Sequence, residues 1–543
     1  MNRKRKISGK DIFGYLFLGI SAVMLLRSLM LCFSNDIWYD ELFTVGMIEH
    51  SYGDLIAFTA RDVHPPLYYC IVKFVLELCK PILAQANAVV IAKVVSVLPY
   101  FILSAYSVTF IRRRFGIFTG GLFMFCAIAM PQLSAYTVEV RMYSFALLFV
   151  TAAFLHAYGM ITAGRATVDA RAHMRQIHAA ALVCYGLAAA YTQYFACVAV
   201  VMVYLYVLIV FLLEDRNRIK EWLLWVAISV AGYIPWLYAL FGQITTVREN
   251  YWILPLTWRS LGGCVKFVMK PAFTNGILNV ILAVVMFVIC VFVFVYGATK
   301  VYHYSIEKHK KTQNKSIIDS EEPIQSGIRS SRHFGFALAG VGVLIGLVAF
   351  GFVASALLRP IFVYRYMIPA LGCFWLGFAV VFNEMWEENR KNIYKSIFIA
   401  ITIGMLIIGL RDYRAFMGEE EYKILLMQQT GEALSAIAPD DIVIYNFDQV
   451  QAVTSYYMDA ATESYLWCGT PETLIQEIIR PYDTVEDVQA IKAWCEDGRR
   501  VWFIGSFNSR EDIVSEWEAD GLKVEETGSY LLERYWFNLY KIF

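Results

Sequence analysis

Apolar runs long enough to cross a bilayer, about 20 residues each, recur along the first three quarters of the chain with short polar breaks between them. They lie near residues 12–33, 88–111, 116–132, 143–161, 179–191, 196–213, 222–241, 276–299, 335–358, 366–384 and 395–410, which predicts about eleven spans. Residues 67–78 are apolar too, but Lys73 and Glu77 interrupt them and the run is short for a span. They read as a helix lying in the membrane interface. Beyond residue 410 the pattern changes, and Glu and Asp become frequent. Alternating periods of 3.6 and 2 predict helices over 420–437, 449–458, 484–495 and 510–519. Strands are predicted over 441–445, 501–505, 523–526 and 536–541. Helices alternating with strands make a small α/β domain. The expected fold class is an all-α polytopic membrane domain over 1–410, with a first outer loop at about 34–88 carrying interfacial helices. An extracytoplasmic α/β domain over 411–543 follows it.

Composition agrees with this pattern. The chain of 543 residues is 58% hydrophobic and only 17% charged, with mean hydropathy +0.52, whereas soluble domains are about a quarter charged. A net charge of +1 gives no reason to expect nucleic acid. The placement of charge says more than its sum. Arg3, Lys4, Arg5, Lys6 and Lys10 precede the first span, which puts the N-terminus in the cytoplasm. With residues 67–78 outside the span count, Arg112-Arg113-Arg114, Arg165 with Arg171 and Arg175, and Arg216 with Arg218 and Lys220 all fall inside. So do the basic loop 301–333, read as a flexible linker, and Arg390-Lys391. An odd number of spans then places the tail outside. Most of the eleven cysteines sit in apolar runs as small buried hydrophobes. Cys468 and Cys495 of the tail would meet an oxidising compartment, where a disulfide is an even proposition.

Under this topology the unusual polar residues collect on one face. Asp40 and Glu41, in Trp38-Tyr39-Asp40-Glu41, lie outside, as do Asp62 and His64, in Asp62-Val63-His64-Pro65-Pro66-Leu67-Tyr68-Tyr69. Glu139-Val140-Arg141-Met142-Tyr143, Tyr191-Thr192-Gln193-Tyr194, the loop Arg248–Pro255 and Arg359–Tyr366 join them. Carboxylates beside a bilayer are costly unless used or paired. A carboxylate such as Asp40 can take a proton from a hydroxyl nucleophile. Arg141 and Arg365 can neutralise a phosphate leaving group through bidentate donors. Aromatics at headgroup depth suit a lipid chain and the apolar face of a sugar. Asp36 reads as a solvated loop acid, Lys93 as a residue that snorkels to the headgroups, and Tyr251-Trp252 as an interface anchor.

Trp-x-Asp-Glu after the first span, Asp-x-His-Pro-Pro-Leu-x-Tyr downstream and Glu-x-Arg-x-Tyr at a later outer loop resemble the GT-C glycosyltransferases. The resemblance is to the bacterial branch related to protein O-mannosyltransferases and the aminoarabinose transferases of lipid A. It covers residues 10–410, and it is specific as a combination rather than motif by motif. It implies a multi-pass protein of the bacterial cytoplasmic membrane that moves a sugar from a polyprenyl-phosphate donor, with inversion, to an acceptor hydroxyl at the outer face. The acceptor would be lipid, glycan or protein. Carried over by position, Asp40 is the base and Glu41 and Asp62 are supporting carboxylates. His64, Arg141, Tyr143, Gln193, Tyr194, Arg365 and Tyr366 bind substrate. Some relatives keep a divalent cation, Mg2+ or Mn2+, for which Asp62 and His64 are the available ligands. One departure stands out: many relatives have His where this chain has Gln193, and a glutamine does not exchange a proton near neutral pH.

Two other functions compete with transfer. A transporter or flippase of lipid-linked glycans would need polar residues through the midplane and on both sides, and here they gather on one. A binding protein for envelope assembly would act through the tail instead.

Overall fold

The computed structural model describes residues 8–82, 87–163, 168–249, 253–313, 321–389, 391–532 and 535–543. Arg3, Lys4, Arg5, Lys6, Arg165, Asn250, Tyr251, Trp252, Lys315 and Arg390 lie outside the described residues. Packing divides the chain into two units. One comprises Met1–Met30, Thr59–Tyr68 and Val94–Phe416; the other comprises Leu31–Phe58, Tyr69–Lys93 and Met417–Phe543.

The first unit is helical. Among the described residues of the whole chain, nine helices are long and apolar enough to cross a membrane, and the protein is a multi-pass membrane protein. The two remaining expected spans are helices as well: Ile117–Ala129, short at 13 residues, and Val168–Ala190, whose first half is polar. Tyr143–Thr162, Ile117–Ala129 and Ile368–Glu388 are almost wholly buried and form the centre of the unit. Ile368–Glu388 packs on Glu321–Leu357, which also contacts Tyr194–Glu214 and Gly276–Gln313. Small residues allow the close approach: a Cβ at Gly340 would overlap the Cys373 carbonyl. In a bilayer, where apolar burial between helices gains little, such backbone contact is a main source of association. The described parts of segment 301–333 are helical rather than linker-like. Residues 301–313 contain neither Gly nor Pro, so nothing stops the preceding helix.

The second unit holds a six-stranded sheet made of β1 (Ile442–Tyr445), β2 (Glu463–Trp467), β3 (Asp483–Val485), β4 (Val501–Ser506), β5 (Val524–Leu532) and β6 (Tyr535–Ile542). The order is β3-β2-β1-β4-β6-β5. β1 to β4 pair in parallel, and β6 pairs antiparallel with β4 and β5. Along β1 the side chains alternate between two cores. Ile442 and Ile444 face Trp467, Phe503 and Trp517. Val443 and Tyr445 face a second core that contains Ile37, Leu42 and Val45 from the segment after the first helix and Val89 from the start of helix Ala88–Tyr106. The helix Tyr39–Glu49 thus belongs to the hydrophobic core of the sheet domain, packed on helices Asp448–Ser455 and Thr473–Ile478.

Three tail expectations change. The predicted helix over 420–437 is the end of one continuous helix, Asn392–Leu434. The helix expected over 484–495 starts later, at Val488, because Asp483–Val485 pairs with β2. Cys468 and Cys495 are both free thiols, the first exposed and the second half-buried.

Candidate functional site

Within the helical unit, the Asp62–Pro66 turn is held by its continuation. The Leu67 N–H donates to the Tyr191 carbonyl at 3.0 Å, which fixes the His-Pro-Pro segment against the Tyr191-Thr192-Gln193-Tyr194 turn. Prolines at 65 and 66 remove two N–H donors where the chain enters the following helix, a position that needs none. His64, Gln193, Tyr194 and Tyr366 consequently line one cavity of about 330 Å³, mostly apolar in its walls, with Arg359 and Gln243. Tyr366 is stacked on Phe195, ring centroids 4.8 Å apart at 28°.

The polar side chains of the cavity differ in how they are used. The Tyr194 hydroxyl donates to Gln243 Oε1 and accepts the Trp236 indole N–H at 3.0 Å. Gln243 Nε2 donates to the Thr59 carbonyl at 2.7 Å. Gln193 is 2% exposed, and neither of its amide atoms has a hydrogen-bond partner among the described residues.

His64 is buried, and Arg141 and Arg365 both act on it electrostatically. Burial first, and then the two guanidinium charges, hold its pKa well below the usual imidazole range, so the ring is neutral at pH 7. Arg141 is itself buried, on a tight turn whose N–H donates to the Glu139 carbonyl at 2.7 Å. Arg365 lies over the Tyr143 ring, 5.9 Å from its centroid, a cation–π arrangement. Asp62 is half-buried and acts electrostatically on Tyr194. Seven sequence-predicted residues, namely His64, Arg141, Tyr143, Gln193, Tyr194, Arg365 and Tyr366, thus gather around this cavity and its arginines, with Asp62 beside Tyr194.

Asp40 and Glu41 belong to the other unit. Both stand in the first turn of Tyr39–Glu49. Glu41 is buried, and its Oε2 accepts the Trp38 N–H at 3.2 Å, capping its own helix. Asp40 is half-buried.

Asp62 and His64 offer a divalent cation two donors, and no group of three His, Cys, Asp or Glu converges among the described residues. Two guanidinium charges also oppose a cation at His64. The donor set fits such an ion poorly, and no step proposed below runs through one. Gln243 and Trp236 were not foreseen. Gln243 falls just past the apolar run ending near 241, and the signal was a lone amide on a helix, Ile219–Glu249, that continues beyond that run.

No family model matches the sequence, and no curated protein matches it. Among solved structures, the crystal structure of ArnT from Cupriavidus metallidurans bound to undecaprenyl phosphate aligns over 97% of both chains, with a TM-score of 0.51 at 12% identity. The chain adopts the GT-C fold. The archaeal oligosaccharyltransferase AglB from Archaeoglobus fulgidus, in complex with an inhibitory peptide and a dolichol-phosphate, aligns over 91% of this chain and 69% of its own, with a TM-score of 0.39 at 9% identity. Both the helical domain and the C-terminal sheet domain fall inside the alignment with ArnT, since it spans nearly the full length.

Proposed function

We propose that this protein is a membrane glycosyltransferase that moves a sugar from a polyprenyl-phosphate donor to an acceptor hydroxyl at the outer face of a bacterial cytoplasmic membrane. The observation that carries the reading is one arrangement: a mostly apolar cavity holding His64 and Gln193, with the buried Arg141 and with Arg365, which lies over the Tyr143 ring, acting on its histidine. An apolar wall suits a lipid, and paired guanidinium groups suit a phosphate. The GT-C fold, shared with a structure that holds undecaprenyl phosphate, supports the same reading.

In the reaction the acceptor oxygen attacks the anomeric carbon as the bond from that carbon to the phosphate oxygen breaks. A carboxylate base, for which Asp40 is the candidate by family resemblance, receives the hydroxyl proton, and the polyprenyl phosphate leaves with the bonding electron pair. Arg141 and Arg365 stabilise the negative charge that develops on it. Attack from the side opposite the leaving phosphate inverts the anomeric centre.

The test is mass spectrometry of the lipid that copurifies with the detergent-solubilised protein. A polyprenyl phosphate, with or without its sugar, is expected with the wild type and lost from the Arg141→Ala, Arg365→Ala double variant. Recovery of phospholipids alone with the wild type overturns the reading.

A further inference from the structure

Two glutamines line the cavity, and they are in opposite states. Gln243 is bonded at both ends of its amide, to Tyr194 and to Thr59. Gln193 is just as deeply placed, yet neither its carbonyl oxygen nor its amide nitrogen is bonded among the described residues. A buried polar group without partners destabilises the fold, so a native structure that keeps one calls for an explanation. A structural explanation was available at this position. Gln193 is the residue preceding helix Tyr194–Glu214, with extended backbone, where a side chain can cap the helix; it makes no such bond. Gln193 lines the cavity instead.

We propose that Gln193 is the specificity-determining residue of the cavity, reading the hydroxyl groups of a neutral sugar on the lipid phosphate. This rests on the reading of the cavity as a donor site. An amide presents one acceptor and two donors side by side, so it matches neighbouring sugar hydroxyls, one donating to Oε1 and one accepting from Nε2. No carboxylate is among the described residues lining the cavity, whereas Arg359 is. With Arg359 in the wall and Asp62 set back beside Tyr194, the lining favours a neutral sugar over a cationic amino sugar. A site built to bond a hydroxyl also rejects a ligand lacking it, because the amide is then left buried and unpaired.

The test uses the full chain in detergent and two kinds of probe. One is undecaprenyl phosphate; the other is the same lipid phosphate carrying glucose, mannose or galactose. Thermal unfolding midpoints and dissociation constants are measured for the wild type and for Gln193→Met, which keeps the length and removes the polar atoms. The wild type is expected to bind at least one sugar-bearing lipid more tightly than the bare lipid phosphate. Gln193→Met should unfold at an equal or higher temperature without ligand, bind undecaprenyl phosphate unchanged, and bind the preferred sugar-bearing lipid about tenfold more weakly, the scale of one uncharged hydrogen bond. A lower midpoint for ligand-free Gln193→Met makes the amide structural and overturns the inference. Undiminished binding of the sugar-bearing lipid by the variant overturns it too. If neither lipid binds the wild type, the donor-site reading fails, and the inference falls with it.

Discussion

The Lys93 ammonium lies 2.6 Å from the Asp36 carboxylate, and both side chains are buried. The Ser34 hydroxyl completes the group, donating to Asp36 and accepting from Lys93 at 3.2 Å. Neither residue is what its local sequence implies: Asp36 is not a solvated loop acid, and Lys93 does not reach for headgroups. The pair ties the segment leading into the Asp40 helix to the start of helix Ala88–Tyr106. Removing one partner strands the other as a buried charge, at about 3–5 kcal/mol. Asp36→Ala and Lys93→Met are each expected to lower the unfolding midpoint strongly, while the Asp36→Leu, Lys93→Met double variant recovers part of the loss. A double variant that behaves as the sum of the singles removes the coupling.

Gly46 is where helix Tyr39–Glu49 meets the sheet domain, since a Cβ there would overlap the Ile478 carbonyl. Gly46→Val must push the helix away from Thr473–Ile478, at about 1–3 kcal/mol of overpacking. Limited proteolysis is the measurement: cleavage within residues 31–58 is expected to accelerate in Gly46→Val and not in Gly53→Val, where space is open apart from the Ser51 hydroxyl. Equal cleavage rates in the two variants would contradict this packing.

Asp40 and Glu41 are neighbours with separable roles. Glu41 accepts the Trp38 N–H, so Glu41→Ala should cost about 1 kcal/mol of stability, as other lost caps do. Asp40→Asn should leave the unfolding midpoint in place and reduce sugar transfer by about 10²- to 10⁴-fold, the range for a lost general base. Full transfer by Asp40→Asn would remove it as the base.

These cases show which parts of the molecule were readable in one dimension. Spans were, because a bilayer demands about 20 apolar residues in a row. The gathering of His64, Gln193, Tyr194 and Tyr366 at one cavity was foreshadowed by the expected topology, in which the alternation of basic loops would send each of those polar turns to the same side. The Asp36–Lys93 pair was not legible, because its partners are 57 residues apart and no periodicity links them. The burial of Leu42 and Val45 in the sheet domain was hidden for the same reason. Two apolar positions one turn apart in a loop say that a face is buried, not what covers it. β2 was missed because Glu463–Trp467 shows no clean alternation, and its parallel partners β1 and β3 are remote in sequence.

Arg365 lies over the Tyr143 ring, and its planar guanidinium can meet a phosphate with two parallel N–H donors, which an ammonium cannot. Arg365→Lys keeps the charge and loses the plane and the bidentate fork. It is expected to slow transfer by about 100-fold, comparable with losing one preorganised donor to a developing anion. Initial rates in proteoliposomes check this. A rate within twofold of wild type would mean that Arg365 acts as a diffuse charge.

His64 makes stability depend on pH with a definite sign. Its folded pKa is depressed below the ordinary 6.5 by burial and by Arg141 and Arg365. Well above pH 6.5 the ring is neutral in both folded and unfolded chains, and it contributes no pH dependence. As the pH falls below 6.5, the unfolded chain takes up a proton that the folded chain refuses. Stability is then lost at up to about 1.4 kcal/mol per pH unit from this one group. The unfolding midpoint of the wild type is therefore expected to drop between pH 6.5 and 5.5, and that of His64→Gln to drop less, the difference between them isolating His64 from other titrating groups. Parallel curves for the two proteins over that interval would show that the histidine already carries its proton in the folded state.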